Sequence, residues 1–145
     1  PLFYSIIAFV GGAAVPLLAV INASYGQAIG HVLFAAMTLS LVASATLVAL
    51  VIIAGGTLPT METIKTIPLW QFTAGLFFVV YVVCITAAAP RIGLGNAIIL
   101  VVVAQILVAA TIDHFGLFGT AVQHITWPRT AGIVCLCIGV FLARS

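Results

Sequence analysis

The chain has 145 residues, 65% of them hydrophobic and 4% charged, with four basic and two acidic residues for a formal net charge of +2. Soluble domains carry about 25% charged residues, so six charges cannot furnish a water-facing surface, and the high hydrophobicity excludes intrinsic disorder. The scattered basic residues form no stripe for nucleic acid.

What remains is an integral membrane protein, read as one domain over residues 1–145. A helix needs roughly 20 apolar residues to cross a hydrocarbon core ~30 Å thick. Five stretches meet or approach that length. They are continuous rather than alternating, which excludes the strands of a β-barrel.

The first predicted helix covers residues 2–28. It lacks a basic leading region and no separate soluble domain follows it, so a cleaved signal peptide is not expected. Pro16 has no N–H, which leaves the Gly12 carbonyl without its helical partner. In hydrocarbon that carbonyl must be satisfied by a neighbouring helix or by a ligand. Asn22, Ser24, Tyr25, Gln27 and His31 then form a polar run. Within it, Gly26 and Gly30 have the small-residue spacing that lets the helix continue and pack closely. The Asn22 amide needs several partners, and a ligand is one candidate.

The second helix, 32–54, carries no charge, and Ser40 and Ser44 give it a small-residue face. Gly55, Gly56 and Pro59 close it. The third, 69–89, opens on Trp70, an aromatic of the interfacial kind, and holds Tyr81 at its centre. The fourth, 94–112, is centred on Gln105. A tyrosine hydroxyl or a glutamine amide is costly in lipid without a partner, so both are expected to face the protein interior. Either role, interhelical clasp or ligand contact, fits Gln105. Asp113 follows, with Arg129 or Arg91 as its candidate ion partner. The fifth helix, 130–143, has fourteen residues and rises only ~21 Å, with Arg144 placed to snorkel at its end.

Chemistry-bearing clusters are sparse. Cys84, Cys135 and Cys137 read as small hydrophobes, because two cysteines two apart on a helix point to different sides. His31, His114 and His124 lack the spacing of a metal site, so neither a metal nor a cofactor is expected. No nucleophile–base pair is visible, and an enzyme is not expected. The helix centres hold no carboxylate on which to build proton coupling. With five crossings, Lys65 and Arg129 fall on one side and Arg91 and Arg144 on the other. That tie gives no orientation bias, so both insertions are expected.

The stretch Val15-Pro16-Leu17-Leu18-Ala19-Val20-Ile21-Asn22-Ala23, followed by Gly26 and Gly30, resembles the first-helix signature of the YdcZ family of the drug/metabolite transporter superfamily. Ala89-Pro90-Arg91-Ile92-Gly93 is similar to that family's helix-three exit. Val103-Ala104-Gln105 through Asp113-His114-Phe115-Gly116-Leu117-Phe118-Gly119 is similar to its fourth-helix motif. One position departs: relatives often carry glutamine where this chain has Leu18. The resemblance implies one half of an inverted-repeat transporter, an all-α fold of five transmembrane helices that pairs antiparallel with a second copy. It further implies a secondary transporter of small organic solutes in a bacterial inner membrane, working by alternating access. An accessory subunit pairing with a different five-helix chain is the alternative. Gly12, Pro16, Tyr81 and Gln105 are the residues expected to line one central cavity, with Asn22 towards its mouth.

Overall fold

A computed structural model describes residues 2–57 and 59–143. Arg144, the expected snorkelling residue, lies outside them. The chain is helical throughout and has no strand among the described residues. Six helices follow in order: α1 Leu2–Ile29, α2 Val32–Ile53, α3 Met61–Thr66, α4 Ala74–Ile92, α5 Leu94–Phe115 and α6 Trp127–Ala143. A 3₁₀ turn, Leu69–Thr73, leads into α4. Four stretches are long and apolar enough to cross a membrane: α1, α2, Leu69–Ile92 and α5. The shorter apolar α6 has 17 residues, which rise about 25 Å.

Several boundaries differ from those read in the sequence, each for a local reason. α1 passes through Pro16 and on through the polar residues from Asn22 to Gln27 as one helix. It stops where Gly30 adopts φ +70, with Gly30 N–H donating to the Gln27 carbonyl and His31 N–H to the Gly26 carbonyl. This is a Schellman closure, which needs the left-handed backbone that glycine adopts without strain. His31 then caps α2, its Nδ1 accepting the Phe34 N–H. Pro90 and Arg91 lie in the last turn of α4 rather than in a loop. α6 begins at Trp127, three residues earlier than expected, because Pro128 sits in its first turn, where a missing N–H costs nothing.

Two compact units divide the chain, residues 1–91 and 92–145. In the first, α1 packs along α2. The buried residues of α1 are Ala19, Asn22, Ala23 and Gly26, and those of α4 are Val82, Ile85, Thr86 and Ala89. Both sets follow the i, i+3, i+4, i+7 spacing of a single helix face. From α2 the buried residues are Ala35 and Ala36. The expected Ser40–Ser44 face is not the packing face: Ser44 is exposed, and Ser40 donates to the Ala36 carbonyl of its own helix. Large apolar residues such as Phe3, Leu47 and Phe77 point outward. In the second unit, α5 packs against α6.

Gly26 marks a close approach between helices of the first unit. A Cβ built there would lie 3.3 Å from Thr86 Cγ2 on α4 and 3.4 Å from Ala35 Cβ on α2. Gly26→Val is therefore expected to cost about 1–3 kcal/mol, by overpacking. Thermal unfolding in detergent checks this, with Gly11→Val as control, since nothing lies within 4 Å of a Cβ there. Equal melting of the two variants would contradict the close approach.

Candidate functional site

Among the described residues, Asn22 and Thr86 are the buried polar ones, 4% and 2% exposed. Asn22 Nδ2 donates to Thr86 Oγ1 across 2.6 Å, joining α1 to α4 over 64 positions of sequence. The bond stands one turn from Gly26, whose missing side chain lets the helices come within reach. Each partner also opens onto a cleft of about 300 Å³. Asn22 borders one between α1 and α2, with Leu18, Tyr25 and Thr38. Thr86 borders another, with Gly26, Gln27, Val32, Pro90 and Arg91.

Tyr81, two turns before Pro90 on α4, is half-buried, and its hydroxyl is enclosed without a hydrogen-bond partner. In a low-dielectric setting such an orphan is costly, so the group marks a place where something else belongs. Pro16 is half-buried, whereas Gly12 is exposed with open space around it. Neither borders the clefts described above.

Gln105 belongs to the second unit and is exposed on α5, where the sequence reading expects it to face inward. Within the second unit its amide makes no interhelical clasp among the described residues.

The second unit has its own polar tie. Arg129 NH2 on α6 donates to Asp113 Oδ2 on α5 at 2.6 Å. Of the two candidate partners for Asp113, Arg129 is the one used. The intervening loop is laced back onto α5: Gln123 N–H donates to the Asp113 carbonyl and Ile125 N–H to His114 Nδ1. The rings of His114 and His124 meet edge to face, 5.6 Å between centroids. Asp113 is thus engaged in anchoring α6. The described residues include no cluster of three or more metal-ligating side chains.

Sequence reasoning misses Thr86. Threonine is common in apolar helices because its hydroxyl bonds to the preceding turn of its own helix. Thr38, Thr46 and Thr111 do so here. Only the contact with a residue 64 positions away sets Thr86 apart, and nothing local announces it.

Multiple membrane-length apolar helices, with a polar pair sealed between two of them, define a multi-pass α-helical membrane protein. The chain belongs to the family described as "Putative inner membrane exporter, YdcZ", which matches residues 3–142. No curated protein and no solved structure matches the chain. The protein is accordingly a multi-pass inner-membrane protein of an exporter family.

Substitutions at two positions test these ties. Thr86→Val keeps the shape of the side chain but leaves the Asn22 amide unpaired, and is expected to cost about 0.5–2 kcal/mol, with Thr86→Ser close to wild type. Unfolding in mild detergent gives the comparison, and equal stability of all three would remove the bond from the fold's support. Asp113→Asn should cost less than about 1 kcal/mol, since both partners are about a third exposed, at 33% and 32%. Transport by Asp113→Asn should persist in vesicles. Its complete loss with normal folding would make Asp113 a coupling residue.

Proposed function

We propose that the protein is a secondary transporter of small organic solutes, working by alternating access as an antiparallel homodimer of five-span chains. The observation that carries the reading is the Asn22–Thr86 pair, a buried amide and hydroxyl at the edge of two clefts in a chain of an exporter family. Polar groups inside a membrane are expensive, and those retained there mark solute paths. α1 and α4 are joined by one buried hydrogen bond, and a solute able to replace it would offset the cost of parting the two helices. Such a contact can open and close in a transport cycle.

Two features support a second copy. The Tyr81 hydroxyl has no partner among the described residues, and the Gln105 amide is exposed on an apolar helix. A partner chain or a bound solute would satisfy both. Tyr81 and Gln105, with Pro16 and the Gly12 carbonyl, then contribute to a cavity that the pair completes, with Asn22 towards its mouth. α6 supplies a second small-residue face through Gly132 and Gly139, suited to helix–helix contact between copies. The balanced basic residues allow both orientations of one sequence, and a two-fold axis in the membrane plane would relate the copies.

Cysteines placed singly at Thr60 and Gly95, in a background without the native three, test the orientation. They fall on opposite sides of any one insertion of the five-span chain. An impermeant reagent applied to intact cells should label both in part. Full labelling at one and none at the other would overturn the antiparallel homodimer in favour of a parallel assembly or a different partner chain. In vesicles, Gln105→Ala should abolish solute flux with little change in melting temperature, whereas equal loss of both would make Gln105 structural.

A further inference from the structure

The Thr86 cleft has a chemical character that the composition of the chain makes unusual. It lies where α1 ends, α2 begins and α4 ends, so three successive crossings bring it to one face of the membrane. Its lining includes Arg91, Gln27 and Thr86. Arg91 is one of four basic residues in the whole chain. It has no carboxylate partner among the described residues, where the ion pair formed is Asp113–Arg129. Glu62, the other acid, is on α3 and does not border the cleft.

Thr86 adds a second, independent sign. Its oxygen accepts from Asn22, yet its own proton has no acceptor among the described residues. Thr38, Thr46, Thr111 and Thr130 all donate to a carbonyl four residues back. Thr86 does not, although it is 2% exposed. A hydroxyl proton held in a buried setting without an acceptor is costly, and an acceptor arriving through the cleft would relieve it. Val32, the first residue of α2, also borders the space, so the end of that helix where amides lack intrahelical partners adjoins it. An unpaired guanidinium, a hydroxyl with a free proton, a carboxamide and a helix start converge on about 300 Å³, and no negative group opposes them.

We propose that this cleft binds the oxyanion group, carboxylate or phosphate, of a small organic anion, with Arg91 as the charged anchor. The guanidinium presents planar paired donors that match either group, and Thr86 and Gln27 supply neutral hydrogen bonds. Naming that anion as the transported solute rests on the transport reading given above. A phospholipid headgroup offers the same chemistry to the same residues.

The test is equilibrium binding to the purified full chain in phosphatidylcholine nanodiscs. The probes are benzoate, phenyl phosphate and benzylamine, which share a ring and differ in charge. Benzoate or phenyl phosphate should bind saturably and benzylamine should not. Arg91→Gln should weaken anion binding about ten- to a hundredfold, and Arg91→Lys less, with melting temperatures unchanged because Arg91 is exposed. Discs containing phosphatidylglycerol separate the sources. Retention of that lipid by the wild type but not by Arg91→Gln, read by native mass spectrometry, assigns the site to a headgroup, and equal retention assigns it to the soluble anion. Benzylamine binding as well as benzoate, anion binding indifferent to Arg91→Gln, or no Arg91-dependent binding of any anion or lipid would overturn the proposal. Binding is read without flux, so its failure leaves the transport reading standing, and failure of flux alone leaves the anion site standing.

Discussion

An amide placed between membrane helices has no water to fall back on, and the first unit is organised around that fact. Asn22 must find a partner inside the protein, and Thr86 is within reach only because α1 and α4 approach closely. Gly26 permits the approach, since any Cβ there would press on both Thr86 and Ala35. Alanines at 19, 23, 35, 36 and 89, together with Val82 and Ile85, are the other residues buried in that unit.

The packing differs in kind from that of a soluble core. Lipid tails are as apolar as leucine, so burying a large hydrophobe gains little, and helices associate through close contact of small side chains. Of the nine buried hydrophobic residues among those described, seven are alanines, while most bulky residues stay on the outside. Stability therefore rests on shape and a few polar bonds rather than on buried area.

The second unit uses another device. α6 is shorter than the other membrane-length helices and has no buried residue of its own. Its position is fixed at one end by the Arg129–Asp113 ion pair and by two backbone donors that return from the loop to α5. Stacking of His114 with His124 closes the same corner. The rest of the helix is an apolar face with glycines at 132 and 139, compatible with a neighbour from another chain.

The sequence by itself determined that this is an all-helical membrane protein of its family, because six charges leave no other solvent for the chain and long uncharged runs have no other stable form in lipid. It also singled out Asn22, since a primary amide in an apolar helix is conspicuous, and it held Arg129 as one of two partners for Asp113. It could not show which face of each helix is buried. In lipid both faces are apolar, so the periodicity that betrays a core in water is absent, and the size of side chains carries the signal instead. For that reason Ser40 and Ser44 misled, although their spacing was suitable, and Ala35 with Ala36 gave no warning. Gln105 stood out because its amide needs a partner, and the second unit by itself leaves it exposed. Only the tertiary structure decided that Thr86 answers Asn22 and that Arg91 shares a cleft with it. Both depend on the crossing of α1 and α4, a contact between residues 64 positions apart that no local pattern encodes.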